Sequence, residues 1–433
     1  MRPRHAWTAG ATVVAGLAGA LVFHGTSGSA GAHGTADGEP APVRPTAVTA
    51  ELRAGEDGRG ASLVRERTER FSMLGVTWRD PGARMTGTVE VRTRAVGAAD
   101  WTPWLRLNGD SGQGESGAAR GGTEPAWVGP SDGVEVRVRA DGATRAGLPD
   151  GLRLDMVDPD AGRVNGVAPA GPTVAEGGTG QPSEPASASP SPTGTGPTAG
   201  TAIPPAPASS APQPPITSRA DWGADESISP EAPTYLPGGK VKAVVVHHTA
   251  ESNTYTCADA PRLVRGIYAY HVNQLGWKDI GYNFLVDKCG TVYEGRKGGV
   301  DRPVQGAHAY GFNSETTGVS VLGTYTDAAP PQAAMSSVAK MAAWKLGQYG
   351  VDPAGTTTLT AGDQGTNFFG KSWTKGTQLT FPTIHGHRDG YNTECPGGAF
   401  YDQLPTIRSW AADPGTEPTT SPLTGTGLPR SGR

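Results

Sequence analysis

The stretch VVVHHTA, residues 244–250, places two histidines at the end of a run of valines. With the preceding VKA it predicts a buried β-strand, because apolar runs of this length are typical of central strands in α/β sheets. Adjacent side chains on a strand point to opposite faces, so His247 and His248 cannot both serve one site through the same face. Active sites of α/β sheets usually lie at strand ends, so one of the two is a candidate functional residue.

The segments around this strand alternate between helix and strand patterns. A helix is predicted from Asp259, as N-cap, to Gly276, with a proline in its first turn. A second helix is predicted over residues 332–349, where a glycine follows. Strands are predicted at residues 241–248, 281–287, 291–295, 318–323 and 381–385, of which the second and third form a hairpin. Residues 216–412 are therefore predicted to be an α/β domain with a mixed sheet flanked by helices.

The N-terminal half of the chain has a different pattern. Residues 87–96 and 132–140 alternate valine with charged side chains, which is typical of half-buried strands. We predict an all-β, sandwich-like domain over residues 69–164, preceded by a polar lead-in over residues 33–68. Its arginines and tryptophans are candidates for contact with glycan or the cell wall; the tryptophans are Trp101, Trp104 and Trp127.

The remaining segments are predicted to lie outside both domains. Residues 165–215 and 413–433 are rich in Ala, Pro, Ser, Thr and Gly, and too few apolar side chains remain there to offset the entropy of ordering. They are predicted to be a disordered linker and a disordered tail.

Residues 1–32 combine basic residues, an apolar run at 11–23 and small residues at 30–32, which predicts a signal peptide. We expect a protein that is secreted, extracellular or associated with the cell wall, with no transmembrane segment after signal cleavage. The formal net charge of −4 argues against binding to nucleic acid.

Histidines mark the second domain as the place for chemistry. Six lie between residues 216 and 412, whereas the predicted β domain has none. The segment IHGHRDGYNTECPGG, residues 384–398, adds a cysteine close to a proline-started helix, where the helix dipole favours a thiolate. Two imidazoles and one thiolate with an open fourth position would make a catalytic zinc site. The residues alone leave open whether His247 or His248, and His385 or His387, supply the nitrogens.

Residues 216–411 resemble the peptidoglycan recognition protein and type 2 N-acetylmuramoyl-L-alanine amidase family. Five stretches carry the resemblance: SRADWGA, VVVHHTA, GWKDIGYNFLVDKCGTVYEGR, GAHAYGFNSETTGVSVLGTY and GHRDGYNTECPGG. They cover nearly the whole second domain in order, which makes the resemblance specific. It says nothing about the β domain.

The resemblance implies a role for each residue of the site. Zinc would be held by His247, His387 and Cys395, while Tyr282 and Thr393 would act in catalysis. The implied reaction is hydrolysis of the amide bond between N-acetylmuramic acid and L-alanine in bacterial cell-wall peptidoglycan. Two alternatives remain: a non-catalytic module that recognises peptidoglycan, and a zinc peptidase that cuts within the stem peptide.

The resemblance also implies substrate contacts and a disulfide. His308 and Asn313 are candidates for binding the muramyl group or the stem peptide. If Cys395 is a zinc ligand, Cys257 and Cys289 remain to pair with each other in an oxidising compartment. Their Cα atoms are then expected to lie roughly 4.4 to 6.8 Å apart.

Overall fold

The computed structural model describes residues 42–56, 58–109, 115–140, 148–162 and 207–417, and all of them fall in one compact unit. The predicted signal peptide lies outside the described residues, as do residues 165–206 of the predicted linker and residues 418–433 of the predicted tail. Among the described residues, no helix is long and apolar enough to cross a membrane.

Nine strands between residues 46 and 158 form a branched sheet in which every pairing is antiparallel. They are β1 (Thr46–Glu51), β2 (Arg53–Ala54), β3 (Gly60–Arg65), β4 (Phe71–Trp78), β5 (Gly87–Ala95), β6 (Leu105–Leu107), β7 (Gly121–Gly122), β8 (Ala126–Ala140) and β9 (Arg153–Asp158). The long strand β8 pairs with β4 through its first half and with β3 and β5 through its second half. Apolar side chains from both branches share one core, which confirms the sandwich-like all-β class.

The sheet starts earlier in the chain than the sequence pattern suggests. β1 and β3 lie within residues 33–68, which were predicted to be a polar lead-in without strands. β1 pairs along its length with β9, and most of its side chains are exposed. β3 buries only Ala61 and Leu63. Strands that bury so few side chains carry a weak apolar alternation, so the pattern did not indicate them.

The C-terminal part contains a five-stranded mixed sheet. Its strands are β10 (Ala243–His248), β11 (Phe284–Val286), β12 (Val292–Glu294), β13 (Thr316–Val321) and β18 (Ile384–Gly386), and they lie in the order β12-β11-β13-β10-β18. Two small antiparallel pairs accompany it: β14 (Thr356–Thr360) with β17 (Gln378–Pro382), and β15 (Gly365–Thr366) with β16 (Ser372–Trp373). Only β11 and β12 run antiparallel within the larger sheet, which confirms the predicted mixed topology.

Helices cover this sheet. They are α1 (Arg219–Trp222), α2 (Ala260–Ala269), α3 (Gln332–Gly347), α4 (His387–Gly390), α5 (Gly398–Tyr401) and α6 (Leu404–Ala412). A π-helical turn, Tyr270–Gln274, continues α2, and short 3-10 turns occupy Glu226–Ile228, Cys257–Asp259 and Pro414–Thr416. Val244 and Val246 of β10 pack with α3 and α6 in one core, while Val245 faces a second core that contains Phe312 and Phe381. Both faces of β10 are therefore buried, which explains its continuous apolar run.

One predicted strand is two strands in the structure. Residues 381–385 span the end of β17, which pairs with β14, and the start of β18, which pairs with β10. Thr383 separates them, and its hydroxyl donates to the carbonyl oxygen of Asp352 at 2.7 Å. Because β18 ends at Gly386 and His387 opens α4, His385 and His387 do not lie on one strand.

The β domain packs directly against α2 and the turn that follows it. Met73, Trp127 and Val157 share an apolar cluster with the buried side of α2. Tyr270 approaches the β domain so closely that a Cβ on Gly75 would lie 2.4 Å from its hydroxyl oxygen. Arg265 adds polar contacts with the Pro159 carbonyl and the Asp160 carboxylate. The two parts of the chain therefore share a tightly packed interface.

Glu251 lies buried at this interface, directly after the histidine stretch. Its carboxylate accepts the backbone N–H of Trp127 at 3.2 Å and the Thr249 hydroxyl at 2.9 Å. Burial raises its pKa from 4.5 to about 8, although both hydrogen bonds act in the opposite direction. The folded protein therefore keeps a proton on Glu251 that the unfolded chain loses near pH 4.5.

We expect Glu251→Gln to flatten the pH dependence of stability. Since the pKa is higher in the folded state, the stabilisation from Glu251 is complete below pH 4.5 and is lost as pH rises towards about 8. Across that window the wild-type free energy of unfolding should fall by up to about 1.4 kcal/mol per pH unit relative to the variant. Urea unfolding of both proteins between pH 5 and 8 measures the difference. Parallel pH profiles would contradict it.

Candidate metal centre

Three side chains converge at the carboxyl end of β10. One ligand atom each from His247, His387 and Cys395 lie within 4.8 Å of one another, a grouping that could hold a metal ion. The Cys395 sulfur lies 3.7 Å from Nδ1 of His247. Around a tetrahedral zinc ion, sulfur and nitrogen ligands at their usual bond lengths are about 3.5 Å apart. The donor set and its spacing therefore fit such an ion.

The register of the sheet explains why these residues meet. β10 and β18 run parallel, with Val246 opposite Gly386. His247 and His387 are the residues that directly follow this pair, so they lie side by side. Their ring centroids are 4.5 Å apart. His387 comes from the first turn of α4, while Cys395 comes from the loop between α4 and α5. The parallel pairing thus joins two residues that are 140 positions apart in the sequence.

The cysteine is held in place by its own backbone and by β10. Its N–H donates to the Thr393 hydroxyl oxygen at 3.1 Å, and its carbonyl accepts from Arg388 at 3.0 Å. The backbone N–H of His248 donates to the sulfur at 3.4 Å. The sequence predicted a helix that starts at Pro396, close to the sulfur. The helix α5 begins only at Gly398, so the sulfur is contacted by an N–H of strand β10 instead.

His308 holds the first histidine in position. Its Nδ1 lies 3.0 Å from Nε2 of His247, which leaves Nδ1 of His247 facing the sulfur. Burial lowers the pKa of His247 well below its ordinary value, and the neighbouring His387 adds to the effect. Burial, together with His385, lowers the pKa of His387 to about 3. Both rings are therefore neutral, the state in which imidazole binds a metal.

The other histidines have separate structural partners. Nδ1 of His248 accepts the Tyr325 N–H at 3.3 Å, on the other side of β10. His385 places Nδ1 2.9 Å from the Pro382 carbonyl and stacks on Phe381. Nδ1 of His271 accepts the N–H of Gly281 at 3.2 Å. Of the two neighbouring histidines of β10, His247 therefore belongs to the ligand cluster, while His248 bonds to the backbone of the fold.

Tyr282 and Thr393 line the same small cavity as the three ligand residues. The Tyr282 ring centroid is 5.4 Å from that of His247, and both hydroxyl-bearing residues are buried. Burial raises the pKa of Tyr282 well above its ordinary value, and the nearby carboxylate of Glu124 raises it further. The phenol is therefore protonated and able to donate a hydrogen bond.

The predicted substrate contacts lie close by but have local partners. His308 lines the cavity and is occupied with His247. Asn313 accepts the N–H groups of His308 and Ala309 at 2.9 and 2.8 Å, which shapes the loop before β13. Contact of His308 and Asn313 with substrate stays a prediction.

Two residues of the β domain also line the cavity, and the sequence motifs did not indicate them. They are Asn108 and Glu124, whose backbones are joined by a hydrogen bond of 2.8 Å. Neither belongs to a recognisable pattern, and Glu124 precedes the nearest ligand, His247, by 123 positions. Only the packing of the two domains brings them to the candidate metal ligands.

The remaining cysteines form the predicted disulfide. Cys257 and Cys289 are bonded, with their Cα atoms 6.2 Å apart, and Cys395 takes no part in a disulfide. The bridge joins the 3-10 turn before α2 to the turn between β11 and β12. This pairing is confirmed, and it leaves the third thiol for the ligand cluster.

We expect Gly318→Ala to weaken metal binding without touching a ligand. A Cβ on Gly318 of β13 would lie 2.5 Å from Cγ of His308, so the ring must shift and its contact with His247 is disturbed. Loss of a partner that orients a ligand typically lowers metal affinity about 10- to 100-fold. Competition with a chromophoric chelator measures the change. Gly60→Ala is the control, because its Cβ meets only the Val138 carbonyl at 3.7 Å, and equal affinities in both variants would contradict the role of His308.

Both halves of the chain match known families. Residues 237–398 match the model described as N-acetylmuramoyl-L-alanine amidase. Residues 34–173 match the model described as Rv3811 N-terminal galactose-binding domain-like.

Individual proteins resemble the C-terminal domain. Peptidoglycan-recognition protein SC2 of Drosophila simulans is 31% identical over 200 residues, which is 46% of this chain and 88% of that protein. Peptidoglycan-recognition protein LB of Drosophila melanogaster is 26% identical over 195 residues, covering 45% of this chain and 68% of the relative. The solved structure of wild-type Drosophila PGRP-LB aligns with 46% of this chain and 95% of its own, at 27% identity and a TM-score of 0.34. Through its C-terminal domain, the chain belongs to the peptidoglycan recognition protein and type 2 N-acetylmuramoyl-L-alanine amidase family.

Proposed function

We propose that this protein is a secreted, zinc-dependent N-acetylmuramoyl-L-alanine amidase. It would hydrolyse the amide bond between N-acetylmuramic acid and L-alanine in bacterial peptidoglycan. The observation that carries this proposal is the convergence of His247, His387 and Cys395 within 4.8 Å at a cavity that Tyr282 and Thr393 also line. The names of the matching relatives, which are peptidoglycan-recognition proteins, support the choice of substrate.

The donor set supports zinc over other metals. Two neutral imidazoles and a thiolate suit a tetrahedral zinc ion, and three protein ligands leave a fourth position for water or substrate. When bound, zinc would polarise the scissile carbonyl and lower the pKa of a water molecule. His308 would keep His247 in the orientation that the ligand cluster requires.

Two hydroxyl groups of the chain would stabilise the tetrahedral intermediate. The oxyanion that forms from the carbonyl needs preorganised donors in a site that excludes water. The protonated phenol of Tyr282 is one such donor. The Thr393 oxygen accepts the Cys395 N–H, which leaves its own O–H to donate.

Digestion of purified peptidoglycan followed by mass spectrometry tests the proposal. An amidase releases stem peptides that begin with L-alanine and leaves intact glycan chains; a chelator should abolish the release and added zinc should restore it. Cleavage inside the stem peptide would instead identify a zinc peptidase.

One observation favours the alternative of a recognition module. The cavity at the ligands measures about 30 Å³, room for a few water molecules, and its walls come from both domains. Substrate can reach the ligands only if this wall moves or if the scissile bond enters from a neighbouring cavity. Co-sedimentation with insoluble peptidoglycan, without any released peptide in the presence of zinc, would establish recognition without catalysis.

A further inference from the structure

Glu124 belongs to the β domain, yet it lines the cavity formed by the candidate zinc ligands. Its carboxylate acts on the Tyr282 phenol as a nearby negative charge and as a hydrogen-bond acceptor, and both effects raise the pKa of that phenol. Among the residues that line this cavity in the described parts of the chain, Glu124 is the only carboxylate. A carboxylate therefore faces the predicted reaction centre from outside the amidase domain.

The backbone around Glu124 is fixed on both sides. Its N–H donates to the Asn108 carbonyl at 2.8 Å, and the buried Thr123 exchanges hydrogen bonds of 2.9 and 3.1 Å with Val76. Three residues later, the Trp127 N–H donates to the buried Glu251 of the amidase domain. The neighbouring strands and the domain interface therefore hold Glu124 in place. A catalytic group needs such a fixed position.

A second set of contacts ties the β domain to the backbone of Tyr282. Glu115 accepts from the Arg296 guanidinium at 2.7 Å and from the Lys278 N–H at 2.8 Å. Arg296 in turn donates its own N–H to the Tyr282 carbonyl at 2.9 Å. The relative position of Glu124 and Tyr282 thus depends on paired charges and hydrogen bonds across the interface.

Amide hydrolysis needs a group that moves protons. A base must take a proton from the attacking water, and an acid must deliver one to the leaving amine. His247 and His387 would be occupied by metal, while Tyr282 and Thr393 serve as donors to the oxyanion. None of these residues supplies the base, and the carboxylate of Glu124 has the required chemistry.

We propose that Glu124 of the β domain transfers the proton in the amidase reaction. Its carboxylate takes one proton from water as the water oxygen bonds to the carbonyl carbon, which yields a tetrahedral oxyanion and a neutral Glu124. The C–N bond then breaks, and Glu124 returns the proton to the nitrogen of L-alanine. The products are the lactyl carboxylic acid and a free amine, and the carboxylate is restored.

The pairing of Glu124 with Tyr282 suits this sequence of events. In the resting site the phenol can donate to the carboxylate of Glu124. When Glu124 takes up the proton from water, its negative charge disappears at the same moment that the oxyanion forms. The phenol is then free to donate to the oxyanion, so one proton movement prepares the second interaction.

A larger cavity lies beside this centre and is lined by residues of both domains. It measures about 720 Å³ and shares Asn108, His248 and Tyr391 with the smaller cavity. Arg84 and Arg106 of the β domain form part of its wall, opposite Thr324 and Asn392 of the amidase domain. This volume falls in the usual range for ligand sites, about 300 to 1,000 Å³.

The inference rests on the proposed amidase function, and Glu124→Gln tests it in the purified protein. The glutamine keeps the size and polarity of the side chain but cannot accept the proton. With a soluble disaccharide-peptide as substrate, kcat should fall about 10²- to 10⁴-fold, while KM stays within a few-fold of wild type. Glu135→Gln on β8 is the matched control, since Glu135 pairs with Arg92 away from the cavity, and its kcat should be unchanged.

Zinc content and Tm separate a chemical role from a structural one. Both should be unchanged in Glu124→Gln. A loss of kcat below tenfold, or a loss that comes with lower zinc content or lower Tm, overturns the proposal. If wild type itself releases no stem peptide, the proposed amidase function fails, and the inference fails with it. Activity in wild type with near-normal turnover in the variant refutes the role of Glu124 alone.

A double variant shows whether Glu124 acts only through Tyr282. Single-turnover rates are measured for Tyr282→Phe with and without Glu124→Gln. A further loss of at least tenfold in the double variant is expected, because proton transfer and oxyanion stabilisation are separate tasks. Equal rates would show that Glu124 only positions Tyr282 and would overturn the proposed proton transfer.

Discussion

Cys395→Ala should lose stoichiometric zinc and lose amidase activity by about 10³-fold or more. The sulfur is one of three ligand atoms within 4.8 Å, and two imidazoles alone make a weak site. Loss of the metal removes several kcal/mol of transition-state stabilisation, and about 1.4 kcal/mol corresponds to each factor of ten. Metal analysis of the purified variant, together with release of stem peptide from a soluble muropeptide, measures both effects.

His248→Asn is the control for this prediction. His248 adjoins His247 and is also buried, but its Nδ1 accepts the Tyr325 N–H, and it is not one of the three grouped ligand residues. Asparagine can preserve that acceptor, so zinc content should be close to wild type. Undiminished zinc in Cys395→Ala would refute the ligand assignment, and loss of zinc in a folded His248→Asn would show that the wrong histidine was chosen.

Tyr282→Phe should retain zinc and lose kcat by on the order of a hundredfold or more. The substitution removes one hydroxyl from a buried ring whose position is otherwise preserved. A donor that acts chiefly on the oxyanion lowers kcat with little change in KM, and loss of one such donor typically has this magnitude. Steady-state kinetics on a soluble muropeptide, with zinc content measured in parallel, test the prediction.

Tyr293→Phe supplies the matched comparison for Tyr282. Tyr293 lies in the same hairpin and is also buried, but its hydroxyl donates to Asp287 at 2.9 Å rather than facing the cavity. Its removal should lower stability by about 1 to 3 kcal/mol through an unsatisfied buried carboxylate oxygen, with kcat within a few-fold of wild type. Similar turnover losses in both variants would assign the effect of Tyr282 to the fold of the hairpin.

In the proposed mechanism both domains contribute to the site, so the amidase domain alone would lack the carboxylate of Glu124. Deleting the β domain would remove Glu124 and expose the apolar face of α2, which packs with Met73, Trp127 and Val157. The predicted boundary between the domains, at residues 165–215, stays a prediction because most of that segment lies outside the described residues. The role of the β domain is therefore best tested by point substitutions in the whole protein.

The sequence by itself determined the class of each domain and the residues that converge at the candidate metal centre. Continuous valines predicted a strand buried on both faces, and β10 is such a strand. The resemblance chose His247, His387 and Cys395 from several candidates, and the structure brings these three together. It also predicted the bridge between Cys257 and Cys289. These features depend on local patterns and on motifs that the sequence displays directly.

Tertiary structure alone decided how the site is completed. His308 meets His247 because β13 and β10 lie side by side and Gly318 leaves room for the ring. Glu124 reaches the cavity because the β domain packs against α2, and that contact depends on side-chain shape across an interface. No periodicity or spacing encodes such a contact, since the partners are more than a hundred residues apart and lie in separate domains. The motifs thus named the candidate metal ligands, while the packing of two domains supplied the carboxylate beside them.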